Sequence, residues 1–250
     1  MIRFALTLAC LLPSLAAASE VDPAGRLGPA AERIRTAAYE STVGYEALGE
    51  LCDDYGHRLS GTQTLEDAID WAADKMRAFG FVNVRKEPVQ VPVWVRNQES
   101  ATILEPGRHE MAILGLGSSV GTGPEGITAP VVRAANFEEF DALGDEEVAG
   151  RIVLFDAPWE GYGKTVQYRT HGASRAAARG AVAVLVRSVG TDGMRTPHTG
   201  GLRYAEDAPK IPGAAVSFED ANQIARMLAR GDDVKVHLVM GAETREDALS

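Results

Sequence analysis

The sequence has few cysteines, a deficit of basic residues and no long apolar run. Its 250 residues include only two cysteines, Cys10 and Cys52, which argues against a disulfide-stapled scaffold. Lysine and arginine number 25 against 35 acidic residues, giving a net charge of −10, whereas a nucleic-acid-binding protein needs a basic surface. No apolar stretch reaches the roughly 18 residues of a spanning helix. With 45% hydrophobic residues, however, the chain can bury a core, which excludes global disorder.

The amino terminus has the pattern of a secretory signal peptide. Arg3 provides the positive region, residues 4–15 form the apolar region, and residues 16–18 are alanines suited to cleavage. We expect cleavage after Ala18, so that residues 1–18 direct export to a secreted or periplasmic location. Cys52 is then the one cysteine of the mature chain, and its apolar spacing with neighbouring leucines predicts that it is buried.

Hydrophobic periodicity predicts alternating helices and strands, which is typical of the α/β class. Two short helices are predicted within residues 29–53, followed by an amphipathic helix at 65–79 with a capping box at Thr64 and Asp67. The further predicted elements are a strand pair over 82–95, a strand at 152–155, a helix at 166–179, strands at 181–186 and 211–216, a capped helix over 217–231 and a strand at 234–240. Residues 241–250 are polar and have no predicted partner.

Two overlapping glycine-rich patterns match catalytic motifs in form only. Residues 117–121 have the spacing of a serine-hydrolase elbow, and residues 121–126 have that of a dinucleotide-binding turn. Both motifs need a helix directly after the turn, because its N-terminal N–H groups hold the oxyanion or the pyrophosphate. Pro124 and Pro130 lead instead into a predicted strand. We therefore interpret this segment as a flexible glycine loop.

The histidines and carboxylates do not have the spacing of a zinc site. None of the five histidines stands in a His-x-Asp or His-Glu-x-x-His pattern. The pairs Glu138–Glu139 and Glu146–Glu147 are adjacent in sequence, so their side chains are expected to point apart. From these residues we assign no catalytic and no metal-ligating role.

A basic segment and a polar loop are the candidates for ligand contact. Residues 161–191 contain five lysines and arginines and no acid, and Arg175 and Arg179 share a helix face. This charge could serve an anionic group such as a peptide carboxylate, or it could balance acidic neighbours on a solvated helix. His198 and Thr199 lie in a polar loop after a predicted buried strand, where ligand-facing residues concentrate. A lone loop histidine is nevertheless more often structural.

Several segments, taken in order, resemble secreted zinc exopeptidases of the aminopeptidase and glutamate carboxypeptidase family. The resemblance is collinear from about residue 40 to residue 250. The matching segments are 48–53, 58–61, 65–76, 89–94, 116–126, 168–188, 197–200, 210–212, 219–221 and 240–244.

This resemblance implies an incomplete α/β peptidase domain that is interrupted by an inserted protease-associated (PA) domain, β-rich with flanking helices. Residues 19–96 would begin the peptidase domain, 97–232 would form the PA domain, and 233–250 would return to the peptidase domain, truncated. Helices that cover an incomplete sheet would expose Ile69, Met76 and Phe79, so we expect marginal stability for residues 21–95.

The resemblance also implies a function, namely hydrolysis of small peptides with two zinc ions. The family's zinc ligands and its glutamate general base are expected to follow the last residue of this sequence. We therefore expect this chain alone to bind no catalytic zinc and to be inactive. The substrate-cleft candidates in matching segments are His198, Thr199, Arg175, Arg179 and His171. The alternative is a non-catalytic PA module that binds a partner. We leave the oligomeric state open, with a homodimer as one candidate.

Overall fold

A computed structural model describes residues 23–190 and 193–250. The predicted signal peptide, residues 1–18, lies outside the described residues. The chain divides into a first unit that ends at Asp54 and a second unit over Tyr55–Ser250, and each is described by itself. None of the described helices is long and apolar enough to cross a membrane.

The first unit contains helix α1 (Pro23–Glu40) and most of helix α2 (Val43–Tyr55). The prediction of two helices with a break near residues 41–44 is therefore confirmed. The prediction for Cys52 is wrong, because this residue is exposed and α2 buries none of its residues. Spacing with leucines identified a helix face but not whether that face is covered.

The second unit begins with helix α3 (Gln63–Ala78). Its N-cap is Thr62, whose hydroxyl accepts a hydrogen bond from the Leu65 backbone N–H at 3.3 Å. The predicted capping box of Thr64 and Asp67 is therefore wrong. Thr62 has the extended conformation of a cap residue (φ −97°, ψ 149°), which aims its hydroxyl at the first turn of the helix.

The apolar face of α3 is only partly covered. Ala68 and Ala73 are its two buried residues. Met76 is 44% exposed and Phe79, which follows the helix, is 54% exposed. The expected exposure is therefore found for these two side chains, whereas Ile69 is half-buried.

A two-stranded antiparallel sheet pairs β1 (Gln90–Val95) with the distant strand β10 (Glu243–Leu249). Two predictions fail here, because residues 82–84 form no strand and the polar segment 241–250 does have a partner. The register shifts between Val91 and Val93, on either side of a proline that cannot donate to the ladder. The residues of β10 are mostly exposed, so no apolar pattern marked it as a strand.

The other eight strands form one mixed sheet in the order β3-β2-β9-β5-β6-β7-β8-β4. Their bounds are β2 Glu99–Glu105, β3 His109–Met111, β4 Ile113–Gly115, β5 Ile127–Ala134, β6 Ile152–Phe155, β7 Ala183–Arg187, β8 Gly213–Val216 and β9 Lys235–Met240. Strands β5 to β8 run parallel to one another, and the remaining pairings are antiparallel. The strands predicted near 152–155, 181–186, 211–216 and 234–240 are confirmed. β9 lies in this sheet between β2 and β5, whereas the sequence assigned it to the returning part of the peptidase domain.

Four helices connect the strands of this sheet and complete two cores. They are α4 (Phe137–Ala142), α5 (Asp145–Val148), α6 (Tyr162–Ala177) and α7 (Phe218–Ala229). The buried strand β6 contributes alternate residues to each core, as the pleat of a strand dictates. Ile152 and Leu154 belong to the cluster that contains Ile224 of α7, and Val153 and Phe155 belong to the cluster that contains residues of α4 and α6.

Helix α6 lies very close to the sheet at Gly172. A Cβ atom at this position would be 2.8 Å from a ring carbon of Phe155. Since Phe155 is fully buried, its ring has little room to move away. The absence of a side chain at residue 172 therefore sets how closely α6 packs on β6.

A buried carboxylate, Asp220, ties the start of α7 to neighbouring strands. Its oxygens accept hydrogen bonds from the Ala112 backbone N–H at 2.7 Å, the Ser217 hydroxyl at 2.8 Å and Arg195 Nε at 3.2 Å. His109 Nε2 lies 2.9 Å from Oδ1. Burial alone would raise the pKa of Asp220, but these hydrogen bonds together lower it below its ordinary value of 3.8. The predicted cap is confirmed, because Ser217 Oγ in turn accepts from the Asp220 backbone N–H.

We expect Asp220→Ala to lower the free energy of unfolding by about 3 kcal/mol at pH 7, since the Ala112 N–H, the Ser217 hydroxyl and Arg195 would lose their shared buried acceptor. A matched control is Asp141→Ala, which removes an exposed partner of Arg175 and should cost less than about 1 kcal/mol. Urea denaturation would measure both changes.

The stabilising effect of Asp220 should also depend on pH. Because the pKa of Asp220 is lower in the folded state than in the unfolded state, its charge stabilises the fold fully above the unfolded pKa. This contribution is lost as the pH falls through the folded pKa. A cost for Asp220→Ala that stayed constant down to about pH 2 would contradict this interpretation.

The burial pattern also predicts a gradient of local stability within the second unit. Amides of α3 should exchange with solvent at least about tenfold faster than those of β6 and β7, because α3 buries only two residues whereas all of β6 is buried. Hydrogen exchange with mass spectrometry would test this on peptides from each element. Equal protection of α3 and β6 would show that α3 is held more firmly than its burial indicates.

Candidate functional site

The loop after β7 carries the predicted candidates His198 and Thr199. The His198 backbone N–H donates to Ser188 Oγ at 2.9 Å, and the Thr199 hydroxyl donates to the Gly115 carbonyl at 2.8 Å. The His198 side chain is exposed. Its ring lies edge-on to the ring of Tyr162, with 6.1 Å between the centroids. The loop backbone is thus fixed to the sheet while an imidazole and a phenol remain accessible.

Arg169 of α6 lies beneath this loop. The residue is only 8% exposed, and one η nitrogen donates to the Tyr162 hydroxyl at 2.8 Å while the other reaches the Thr199 carbonyl at 3.4 Å. A Cβ atom at Gly200 would be 2.5 Å from the guanidinium carbon, so this glycine leaves the room that Arg169 occupies. Its Nε has no hydrogen-bond partner within the described part of the chain. Arg169 therefore positions both Tyr162 and the loop.

The charge pattern of residues 161–191 does not distinguish Arg169 from the other basic residues of this segment. What distinguishes this residue is burial without a carboxylate partner among residues 23–190 and 193–250. Burial depends on how α6 meets the loop, and no local pattern encodes that contact.

Arg175 and Arg179 point to α4 and α5 instead. Arg175 pairs with Asp141 at 2.9 Å and stacks 4.2 Å from the Phe137 ring centroid. Arg179 pairs with Asp145 at 2.9 Å. Its guanidinium also donates to the backbone carbonyls of Phe140 and Leu143 at the carboxyl end of α4. These contacts correspond to the alternative in which the basic residues balance acidic neighbours.

No hydrogen bond, ion pair or ring contact joins the side chain of His171 to the other candidate residues within the described ranges. It is exposed on α6, and within the described ranges its side chain forms no hydrogen bond and no ion pair. The structure thus brings His198 and Thr199 together with Arg169 and Tyr162, and it places Arg175, Arg179 and His171 in other surroundings.

Through Gly115, Thr199 is also linked to the segment that connects β1 to β2. The Gly115 carbonyl that Thr199 binds accepts a further hydrogen bond from Arg96 at 3.2 Å, and the Gly115 N–H donates to Glu99 Oε2 at 2.9 Å. Burial raises the pKa of Glu99, against the opposing effects of the Gly115 N–H and Arg96. Burial therefore disfavours the ionised form of Glu99, and the hydrogen bond from the Gly115 N–H partly offsets this effect.

The glycine loop is anchored by the buried side chain of Ser119. Ser119, the central residue of the elbow-like pattern, is 1% exposed. Its hydroxyl donates to the Val120 carbonyl at 3.0 Å and accepts from the Gly213 N–H at 2.9 Å. Strand β5 follows this loop, so the helix that an oxyanion or phosphate site requires does not follow here.

The described residues do not fit a zinc centre. Across 23–190 and 193–250, no three side chains of His, Cys, Asp or Glu lie close enough together to hold a metal ion. A zinc site of this ligand type needs at least three such groups.

Comparison with known proteins identifies relatives of the chain. Residues 127–224 match the PA domain family. Carboxypeptidase Q from Mus musculus is 48% identical over 206 residues, which are 82% of this chain and 44% of that protein. Carboxypeptidase Q from Homo sapiens is 46% identical over 206 residues, covering 43% of its length. The chain therefore spans less than half the length of these curated relatives.

Solved structures show the same relationship. A peptidase M28 precursor from Shewanella amazonensis superposes with a TM-score of 0.84 at 37% identity, over 90% of this chain and 52% of that one. A zinc aminopeptidase from Bacillus subtilis has a TM-score of 0.55 at 19% identity, over 82% of this chain and 44% of that one, which shows similarity of fold alone. The predicted fold class, an α/β peptidase fold with an inserted PA domain, is confirmed. Together these matches confirm the resemblance found in the sequence: the chain is similar to carboxypeptidase Q and to a peptidase M28 precursor, and its residues 127–224 match the PA domain.

Proposed function

We propose that this chain is the amino-terminal, PA-domain-bearing part of an exported zinc exopeptidase that hydrolyses small peptides. The observation that carries the proposal is the 48% identity to carboxypeptidase Q over 82% of the chain. Export rests on the pattern of residues 1–18.

The sheet topology supports the view that the PA domain is an insertion. The chain leaves the two-stranded sheet through β1, forms the eight-stranded sheet, and returns through β10, which is the neighbour of β1. Adjacent entry and exit strands are what an inserted domain needs, because its two ends must lie close together. We therefore place the end of the PA domain after β9, near residue 241, rather than at residue 232.

Zinc-dependent hydrolysis would need a set of metal-ligating side chains, which residues 23–190 and 193–250 do not assemble. The chain spans 44% of carboxypeptidase Q from Mus musculus, and we propose that the metal ligands and the general base belong to the part that is not matched. The described residues then contribute the frame of the peptidase domain and the PA domain, and on their own they are inactive.

Within the PA domain, His198 and Thr199 are the residues we propose to face a peptide substrate. Exposure of the His198 ring beside Tyr162, on a backbone held by Ser188 and Gly115, supports this choice. Arg169 is a positioning residue for the loop. The ion pairs of Arg175 and Arg179 leave these two side chains less free to contact a ligand.

We expect the purified mature chain, residues 19–250, to show no metal-dependent hydrolysis of dipeptides, because its described residues, 23–190 and 193–250, assemble no set of metal ligands. An assay with added zinc, run beside carboxypeptidase Q as a positive control, would measure this. Calorimetric titration would show in parallel whether zinc binds. Zinc-dependent turnover that a chelator abolishes would refute the proposal.

We expect His198→Ala to raise the KM for peptides by roughly fivefold to tenfold with little change in kcat, as loss of one substrate contact does. The measurement needs a polypeptide in which this chain is continued by the remainder of a carboxypeptidase Q relative. His171→Ala is the matched control, an exposed histidine elsewhere in the same domain. Equal kinetics for the two variants would remove His198 from the substrate site.

A further inference from the structure

A basic pocket lies at the carboxyl ends of the parallel strands, separate from the His198 loop. Its volume is about 410 Å³, and its lining includes Arg133, Asp156, Arg187, Asn222 and Arg226. Arg133 lies near the end of β5, Asp156 directly follows β6, and Arg187 ends β7. The edge where parallel strands end is the place at which α/β sheets bind ligands.

The arginines of this pocket offer more donors than the protein satisfies. Asp156 is 3% exposed and accepts one hydrogen bond from Arg133 Nε at 2.7 Å and one from an η nitrogen of Arg187 at 2.9 Å. Each guanidinium carries five N–H groups. Among the residues that the structure describes, neither arginine has a second acceptor, so both η nitrogens of Arg133 remain available.

The third guanidinium adds charge without a partner. Arg226 projects from α7 and is exposed, and it forms no ion pair with any residue in the described ranges. The pocket lining therefore holds three positive charges against the single negative charge of Asp156. Such an excess in a protein with a net charge of −10 creates a local field that favours an anion.

Two of the guanidinium groups are held in place before any ligand arrives. The guanidinium of Arg187 stacks on the Phe218 ring, 3.8 Å from its centroid, and its side chain is 15% exposed. The buried carboxylate of Asp156 fixes Arg133 and Arg187 at its two oxygens. Pre-organised side chains lose little rotamer freedom on binding, which favours affinity.

We propose that this pocket is a binding site for an oxyanion, either a carboxylate or a phosphate group of a small molecule. Guanidinium groups bind both through paired N–H···O contacts. The volume suits a small ligand, and the Asn222 amide adds a neutral donor and acceptor at the rim of the charged surface. The site uses none of the residues proposed above for peptide hydrolysis, so it stands independently of that function.

The test titrates the full mature chain with inorganic phosphate and, separately, with succinate, by calorimetry at low ionic strength. We expect a Kd below about 10 mM for at least one of them. Binding of phosphate alone would identify a phosphate site, and binding of succinate alone a carboxylate site. Failure of both anions to bind would overturn the proposal.

Two variants link any binding to the pocket. Arg226→Gln should weaken binding by at least about fivefold, since it removes a cation and leaves the Asp156 pairs intact. Arg230→Gln is the matched control, because Arg230 lies one turn further along the chain, pairs with Asp232 and does not line the pocket. Ala225→Glu would place a competing carboxylate on the lining and should abolish binding. Unchanged affinity in folded Arg226→Gln and Ala225→Glu proteins would locate the anion elsewhere and refute the assignment.

Discussion

The pairing of β1 with β10 is the constraint on which the arrangement of the second unit depends. Its backbone hydrogen bonds join Val95 to Glu243 across roughly 150 residues of chain. Closing so long a loop costs conformational entropy, but the cost rises only slowly with length. The intervening residues offset this entropy cost by forming a sheet of their own, both faces of which are buried. A large domain can therefore sit within another without disturbing the strands that flank it.

The sequence was most informative where burial is continuous or helices are amphipathic. Four-residue strands such as β6 are apolar throughout because helices cover both of their faces, and the cap at Ser217 has a local signature that needs no tertiary contact. β10 escaped prediction for the opposite reason, since its exposed polar residues are specified by a partner at the other end of the domain. The cap at Thr62 and the exposure of Cys52 likewise depend on local backbone geometry and on neighbours that periodicity does not report.

The same distinction explains how much of each site could be predicted. His198 and Thr199 were accessible to sequence reasoning because a polar loop after a buried strand is a local pattern. The arginine pocket was not, because Arg133, Asp156 and Arg187 come from the ends of three different strands, and each is an ordinary charged residue in its own segment. Parallel strand order brings them to one edge. Charge counts over a segment pointed to Arg175 and Arg179, whose partners were acids of α4 and α5 that lie far away in sequence.

The missing side chain at Gly172 has a consequence beyond local packing. It fixes the height of α6 above β6 through the ring of Phe155, and the same helix carries Arg169 and Tyr162 one to three turns before that point. Because Arg169 lies one turn before Gly172 on the same helix, the close packing at Gly172 also sets the distance over which Arg169 reaches Thr199. In this domain the position of the loop that contains Thr199 therefore depends on how closely α6 packs on the core beneath it.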